Sequence, residues 1–354
     1  MTNKMKTDIT LLSTQRSFIM GIAILWVAWF HTDLPVGIPG LSFLRETGYG
    51  GVDLFFLMSG IGAYYSLTKN PDTVSYIKNR AKRILPSYYP FIILWIIMMK
   101  LTAEIYGIEI IGNLTMMGWW CESRCQFNWY TNAIWLFYLL APFVVGWILK
   151  EEYGKKRIRS TLLLMAAGFL TSMTFWHTLL LTAFSRLPLF VLGVYLGSEM
   201  LDQSVWGREA GTSDMPGELL QNRRYVWQKH SLLFWNILMA AGCFSLYICL
   251  TKFTDYMWPY GLWWYPFVLI APGLAMDLGL LAGCLQQYRL GNAIRSGVNT
   301  VGEASFEIFL WHIGIFEFVK PRVAMNGVKW TALFILVVLW GILYRRLIQR
   351  IFRV

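Results

Sequence analysis

Runs of about 20 apolar residues recur along almost the whole chain, and no other feature constrains its fold as strongly. Inside hydrocarbon every backbone N–H and C=O must be satisfied within the protein, which leaves only helices or closed barrels. A barrel would read as short segments alternating apolar and polar, and these runs do not alternate. The composition agrees, with 56% hydrophobic and 14% charged residues, against about 25% charge in an ordinary soluble domain. The sequence therefore predicts an all-α fold: a polytopic transmembrane helical bundle forming a single domain over residues 1–354.

The runs place about ten spans, near Ser17–Pro35, Gly51–Lys69, Tyr88–Tyr106, Trp129–Leu149, Ser160–Leu181, Arg186–Met200, Ser231–Thr251, Trp263–Leu285, Val298–Val319 and Trp330–Ile348. Basic loops are predicted at 69–83, which holds Lys78-Asn-Arg-Ala-Lys-Arg83, and at 150–159. The one long polar stretch, 202–230, is predicted as a cytoplasmic loop with room for a surface helix. Lys and Arg gather in the N-terminal tail, in these loops, in 286–295 and in the C-terminal tail, while 32–48, 107–128, 252–262 and 320–329 hold few. Basic loops face the cytoplasm. With an even number of spans, both termini are expected there. The polar start, through Gln15, precedes a run too long for a signal h-region, so the first span is expected to remain as an anchor.

Against this background the ionisable residues inside spans stand out, because each is expensive in a bilayer. Met20-Gly-Ile-Ala-Ile-Leu-Trp-Val-Ala-Trp-Phe-His31 is apolar until its final imidazole. Gly48-Tyr-Gly-Gly-Val-Asp-Leu-Phe-Phe-Leu-Met-Ser-Gly60 carries one carboxylate, Asp53. The orientation places His31 near the outer end of span one and Asp53 near the outer beginning of span two, so the two can approach. Arg16 falls at the cytoplasmic mouth of span one and Arg186 at the outer mouth of span six. Glu303, Glu307 and His312 rise through span nine. His312 lies about 7.5 Å along the axis beyond Glu307.

The net charge of +11 would suit nucleic acid, but in a membrane protein basic loops serve the cytoplasmic face and anionic lipid. No nucleic-acid partner is expected. Cys243, Cys249 and Cys284 fall in apolar runs, where small buried residues are ordinary. Cys121 and Cys125 share a polar loop and could form a short disulfide in an oxidising compartment. They have no companions at metal-type spacing, so no metal site is expected.

Six of these stretches, in order, resemble acyltransferase family 3, membrane O-acyltransferases acting on cell-surface glycans. They are Gly21-Ile-Ala-Ile-Leu with His31; Gly50-Gly-Val-Asp-Leu-Phe-Phe-Leu-Met-Ser-Gly60; Tyr76-Ile-Lys-Asn-Arg-Ala-Lys-Arg-Ile-Leu-Pro86; Trp129 with Leu136-Phe-Tyr-Leu-Leu-Ala-Pro142; Arg186-Leu-Pro-Leu-Phe-Val-Leu-Gly193 with Gly197; and Gly302-Glu-Ala-Ser-Phe-Glu-Ile-Phe-Leu-Trp-His312. The resemblance covers nearly the whole chain. One position departs from it: the family places an arginine eleven residues before the first-span histidine, where this chain has Met20. Arg16 lies one helical turn earlier on the same face.

The resemblance implies that His31 acts as general base, taking the proton of a sugar hydroxyl as it attacks an acyl carbonyl. It implies that Asp53 orients His31 and stabilises the imidazolium. Arg80 and Arg83, with Arg16, are implied to bind the phosphates of an acyl-coenzyme A donor, acetyl-coenzyme A being expected. Arg186, Glu303 and His312 are implied to line the path of acceptor or acyl group. Each has a plainer reading: a bonded helix histidine, a span-end carboxylate, positive-inside arginines. Ser59 and Ser305 read as packing groups. The Trp119-Trp120 and Trp263-Trp264 pairs read as interfacial belts.

The implied activity is transfer of an acyl group from acyl-coenzyme A to a hydroxyl of a surface polysaccharide or lipid-linked glycan, in a bacterial inner or plasma membrane. No bound cofactor is expected, membrane lipid and the glycan are the partners, and a homo-oligomer is left open. Two alternatives stand: a transporter or flippase using intramembrane His, Asp and Arg as a relay, and a catalytically inactive family member, which Met20 keeps in play. A transporter would favour inverted repeats, and no repeat is visible.

Overall fold

The computed structural model describes residues 10–34, 36–102, 107–120, 129–150, 155–209 and 217–352. Every regular element among them is helical. In chain order they are α1 (Arg16–Phe30), α2 (Pro39–Glu46), α3 (Gly50–Lys69), α4 (Thr73–Thr102), α5 (Gly107–Thr115), α6 (Trp129–Leu149), α7 (Lys155–Met173), α8 (Leu187–Glu209), α9 (Gly217–Lys252), α10 (Phe267–Leu285), α11 (Arg289–Glu303), α12 (Ser305–Val319) and α13 (Gly327–Phe352). Single turns at Leu11–Thr14 and Leu181–Phe184 precede α1 and α8. Six stretches among the described residues are long and apolar enough to cross a membrane: Thr73–Leu101, Trp129–Leu149, Leu181–Met200, Leu232–Lys252, Phe267–Leu285 and Gly327–Phe352.

Several boundaries differ from those read off the sequence, each for a local reason. The basic stretch 78–83 is not a loop but part of α4. Asp72 starts that helix, its carboxylate accepting the backbone N–H of Ser75 at 2.9 Å and of Val74 at 3.4 Å; this is an N-cap, which relieves N–H groups with no partner in the first turn. Residues 155–159 likewise open α7. The polar stretch 202–230 is helical at both of its described ends, 202–209 continuing α8 and 217–230 beginning α9. The predicted ninth span is two helices, broken at Ala304. The predicted first span ends early, at Phe30, and the Thr32 hydroxyl donates to the Trp29 carbonyl at 2.7 Å. His31 thus sits in the turn just past α1. Cys121 and Cys125 lie outside the described residues.

The chain divides into two compact units, Met1–Ile19 with Asp53–Lys69 and Ala141–Ser296, and Met20–Val52 with Asn70–Leu140 and Gly297–Val354. In the first, α3 and α8 cross with their backbones in contact. A Cβ built on Gly60 would strike the Phe190 carbonyl and lie 3.0 Å from the Gly193 Cα; one on Gly193 would strike the Leu57 carbonyl. Lipid gives no hydrophobic drive between helices, so close backbone approach through small residues supplies the attraction. The Leu232–Lys252 part of α9 shows the opposite character, with Leu233, Phe234, Ile237 and Phe244 exposed as a lipid-facing surface.

In the second unit, glycines hold α1 on two sides. A Cβ on Gly21 would collide with the Val298 carbonyl of α11, and one on Gly51 with the Ala23 carbonyl. A Cβ built on Gly314 would lie 2.7 Å from the Trp95 ring and one on Gly341 would strike Ile308, which seats α12 between α4 and α13. The turn carrying His31 and the helix carrying His312 are fixed by these contacts.

The crossing of α3 and α8 gives a stability test with an internal control. Gly60→Ala should cost about 1–3 kcal/mol through overpacking. Gly146→Ala, in α6 with nothing within 4 Å of the added Cβ, should be neutral or stabilising by up to about 1 kcal/mol. Thermal unfolding of the detergent-solubilised protein separates them.

Candidate active site

In the second unit, the turn after α1 brings His31 against His312 of α12, with ring centroids 5.1 Å apart and planes inclined at 57°. His31 is exposed and His312 wholly buried. Aromatic rings wall the pair. Phe30 meets His31 edge-on at 4.9 Å, Phe309 and Phe316 stand 5.2 and 6.3 Å from His312, and Tyr130 backs Phe309 at 4.7 Å.

The environment of His312 sets its proton. Its Nδ1 lies 2.7 Å from the Phe309 carbonyl. A carbonyl oxygen only accepts, so Nδ1 carries the hydrogen and, in the neutral ring, Nε2 carries the lone pair. That Nε2 is buried without a hydrogen-bond partner among the described residues.

The loop carrying His31 is tied down at three points. Trp26 Nε1 donates to the Leu44 carbonyl and Arg45 donates to the Leu34 carbonyl, both at 2.5 Å. Asp33 pairs with Lys320, at the end of α12, at 2.6 Å. The hydrogen bond and charge of Asp33 hold the Lys320 ammonium above its ordinary range. The turn that bears His31 and the C-terminal end of α12, the helix that bears His312, are therefore clasped to each other.

About 7.5 Å before His312 along the axis of α12 lies a second polar group. The Ser87 hydroxyl donates to Glu307 Oε1 at 2.6 Å, and Arg345 stands 3.9 Å from Oε2 while donating to the Glu303 carbonyl. Tyr344 donates to the Ser87 carbonyl at 2.7 Å. A buried carboxylate costs several kcal/mol without such partners. Ser87 sits in the stretch of α4 interrupted by Pro86 and Pro90, which lack the N–H that would bond four residues back. The sequence singled out Glu303 to join His312. In the structure Glu303 ends α11 with its side chain exposed, and Glu307 is the buried carboxylate beside α4. Ser87, Tyr344 and Arg345 were not singled out, and a contact spanning 220 residues leaves no local signal.

In the first unit, Asp53 is buried and forms an ion pair with Arg186. Nε lies 3.3 Å from Oδ1 and Nη2 3.5 Å from Oδ2. Arg186 also donates to the Thr182 carbonyl and covers the Trp264 ring at 4.9 Å. The sequence placed Arg186 on the path of acceptor or acyl group, and Asp53 beside His31. The charge partner that the structure gives Asp53 is Arg186.

The candidate donor-binding arginines differ in setting. Arg80 is half-buried, its guanidinium 4.8 Å from the Tyr76 ring and 5.0 Å from the Tyr138 ring. Arg83, one turn on, is exposed. Arg16 opens α1, half-buried, with a guanidinium nitrogen beside Gly62. Met20 is buried one turn further along the same helix. Among the described residues no group of His, Cys, Asp and Glu side chains could hold a metal ion.

A family model described as an acyltransferase domain, that of acyltransferase family 3, matches residues 19–346. No curated protein and no solved structure matches the chain.

The Asp53–Arg186 pair carries a direct expectation. Asp53→Asn leaves a buried guanidinium uncompensated and should destabilise the solubilised protein by about 3–5 kcal/mol, whereas Asp53→Leu combined with Arg186→Met should cost clearly less. Thermal unfolding of the three variants measures this; equal losses for single and double variants would remove the ion pair as the cause.

Proposed function

We propose that this chain, which belongs to acyltransferase family 3, is an integral membrane O-acyltransferase. It moves an acyl group, acetyl in the simplest case, from acyl-coenzyme A to a hydroxyl of a surface polysaccharide or lipid-linked glycan. The observation that carries this reading is the imidazole of His31, in an exposed turn, set against the buried ring of His312 within a chain matched by the family over 19–346. A sugar hydroxyl is a weak nucleophile at neutral pH, and an imidazole in reach can take its proton as attack begins. As the new C–O bond forms, the thioester C–S bond breaks, and the proton held by His31 leaves with the thiolate.

Arg80 and Arg83, on one face of α4, suit the phosphates of coenzyme A, for which a guanidinium offers paired donors. The rings of Tyr76 and Tyr138 restrict Arg80 and lower the entropy cost of that recognition. The proposed topology has about ten crossings. The six long apolar helices are completed by Arg16–Phe30, Gly50–Lys69, Lys155–Met173 and Ser305–Val319. Both termini and the arginines of α4 face the cytoplasm and His31 the outer side, in the cell membrane of a bacterium. An inactive family member is the second reading, and Met20 in place of the family arginine is the observation that favours it.

The test is ester-linked acyl groups on surface glycans of cells expressing wild type or His31→Ala at equal protein level. Acylation should fall by about 10²–10⁴-fold in the variant; equal acylation would remove the enzymatic reading. In membranes from such cells supplied with labelled acetyl-coenzyme A, Arg83→Ala should raise the donor KM by about tenfold or more, with kcat little changed.

A further inference from the structure

Asp53, to which the sequence assigns the orienting of His31, pairs in its own unit with Arg186 through both carboxylate oxygens. In the unit of His31 another imidazole is set against it, with one nitrogen committed and the other available. His312 Nδ1–H is spent on the Phe309 carbonyl, so the Nε2 lone pair is the remaining polar feature of a wholly buried ring. A buried acceptor without a donor is costly. A ring nitrogen lies about 1 Å from the imidazole centroid, so a centroid separation of 5.1 Å admits an N–H···N contact of about 3 Å once the two nitrogens face each other. His31, exposed and in a turn rather than in a helix, is the ring free to turn.

We propose that His312 is the positioning residue for His31. Its Nε2 accepts the N–H of His31, which fixes the tautomer of His31 and leaves the opposite nitrogen with a lone pair for the acceptor hydroxyl. After proton transfer His31 has two N–H groups, and the one facing His312 keeps its acceptor, so the imidazolium is stabilised where a carboxylate would otherwise be required. The Phe309 carbonyl completes the chain by holding His312 in the tautomer that can accept. The Lys320–Asp33 pair and the glycine contacts of α1 and α12 keep the two rings in register. This inference rests on the reading of His31 as the base.

Three variants of the full-length protein in native membranes test it, with labelled acetyl-coenzyme A as donor and the cell's own surface glycan as acceptor. His312→Leu, which fills the space without an acceptor, should lower kcat by about 10²–10³-fold with the donor KM within about twofold of wild type. His312→Gln, whose amide oxygen can stand near the position of Nε2, should recover to within about tenfold of wild type. A purely structural role would not distinguish leucine from glutamine in this order. His312→Leu with wild-type kcat, or glutamine as inactive as leucine at equal folded protein, overturns the proposal. Should the leucine variant fail to fold, wild-type membranes still decide. Diethyl pyrocarbonate, followed by peptide mass spectrometry, should modify His31 before His312, and prior modification of His312 contradicts the arrangement. His31→Ala distinguishes the two levels: if it retains activity the base assignment fails, and if it is inactive while His312→Leu is normal only the positioning role fails.

Discussion

An ionisable side chain placed in a bilayer must find its partner within the protein, and that requirement organises both units of this molecule. In one, Asp53 and Arg186 satisfy each other, with the Thr182 carbonyl and the Trp264 ring taking up the rest of the guanidinium. In the other, Glu307 takes Ser87 and Arg345. His312 takes one backbone carbonyl and retains a lone pair. The first two set each charge against one of opposite sign. The third is a ring whose neighbour, His31, stands in an exposed turn, and that difference marks it as the place for chemistry.

The glycines make this possible at a distance from the site. With a side chain at Gly21, Gly314 or Gly341, α1 and α12 could not approach their neighbours as they do. The turn after α1 and the end of α12 would not be brought together for Asp33 to reach Lys320. The early end of α1 matters equally. Pro35 biases Leu34 away from helical backbone, so His31 belongs to a turn and is reachable, whereas His312, mid-helix, is enclosed.

Much of this could be read from the sequence, and the gaps have physical causes. The membrane class, the helical content and the weight on His31 follow from hydropathy and from the cost of burying charge, which are properties of single stretches. The capping role of Asp72 and the break at Ala304 were missed because a run of helix-forming or apolar residues overrides a local signal when boundaries are judged by hydropathy alone. The partners of Glu307 were missed for a different reason. Ser87, Tyr344 and Arg345 are brought to it by packing between distant segments, and nothing in their neighbours in sequence records that. That Asp53 pairs with Arg186 across 133 residues of sequence was likewise unrecorded in the neighbours of either.

The claim at the centre is that His31 meets the reacting hydroxyl, backed by a second imidazole. The most direct measurement is an electron cryo-microscopy map of the protein in lipid with a non-hydrolysable acyl-coenzyme A analogue and a glycan acceptor. The expected result is an acceptor hydroxyl within about 3 Å of a His31 ring nitrogen, with His312 on the opposite side of that ring and the acyl carbon beside the hydroxyl. An acyl group seated away from His31, with that ring turned into lipid, would contradict it.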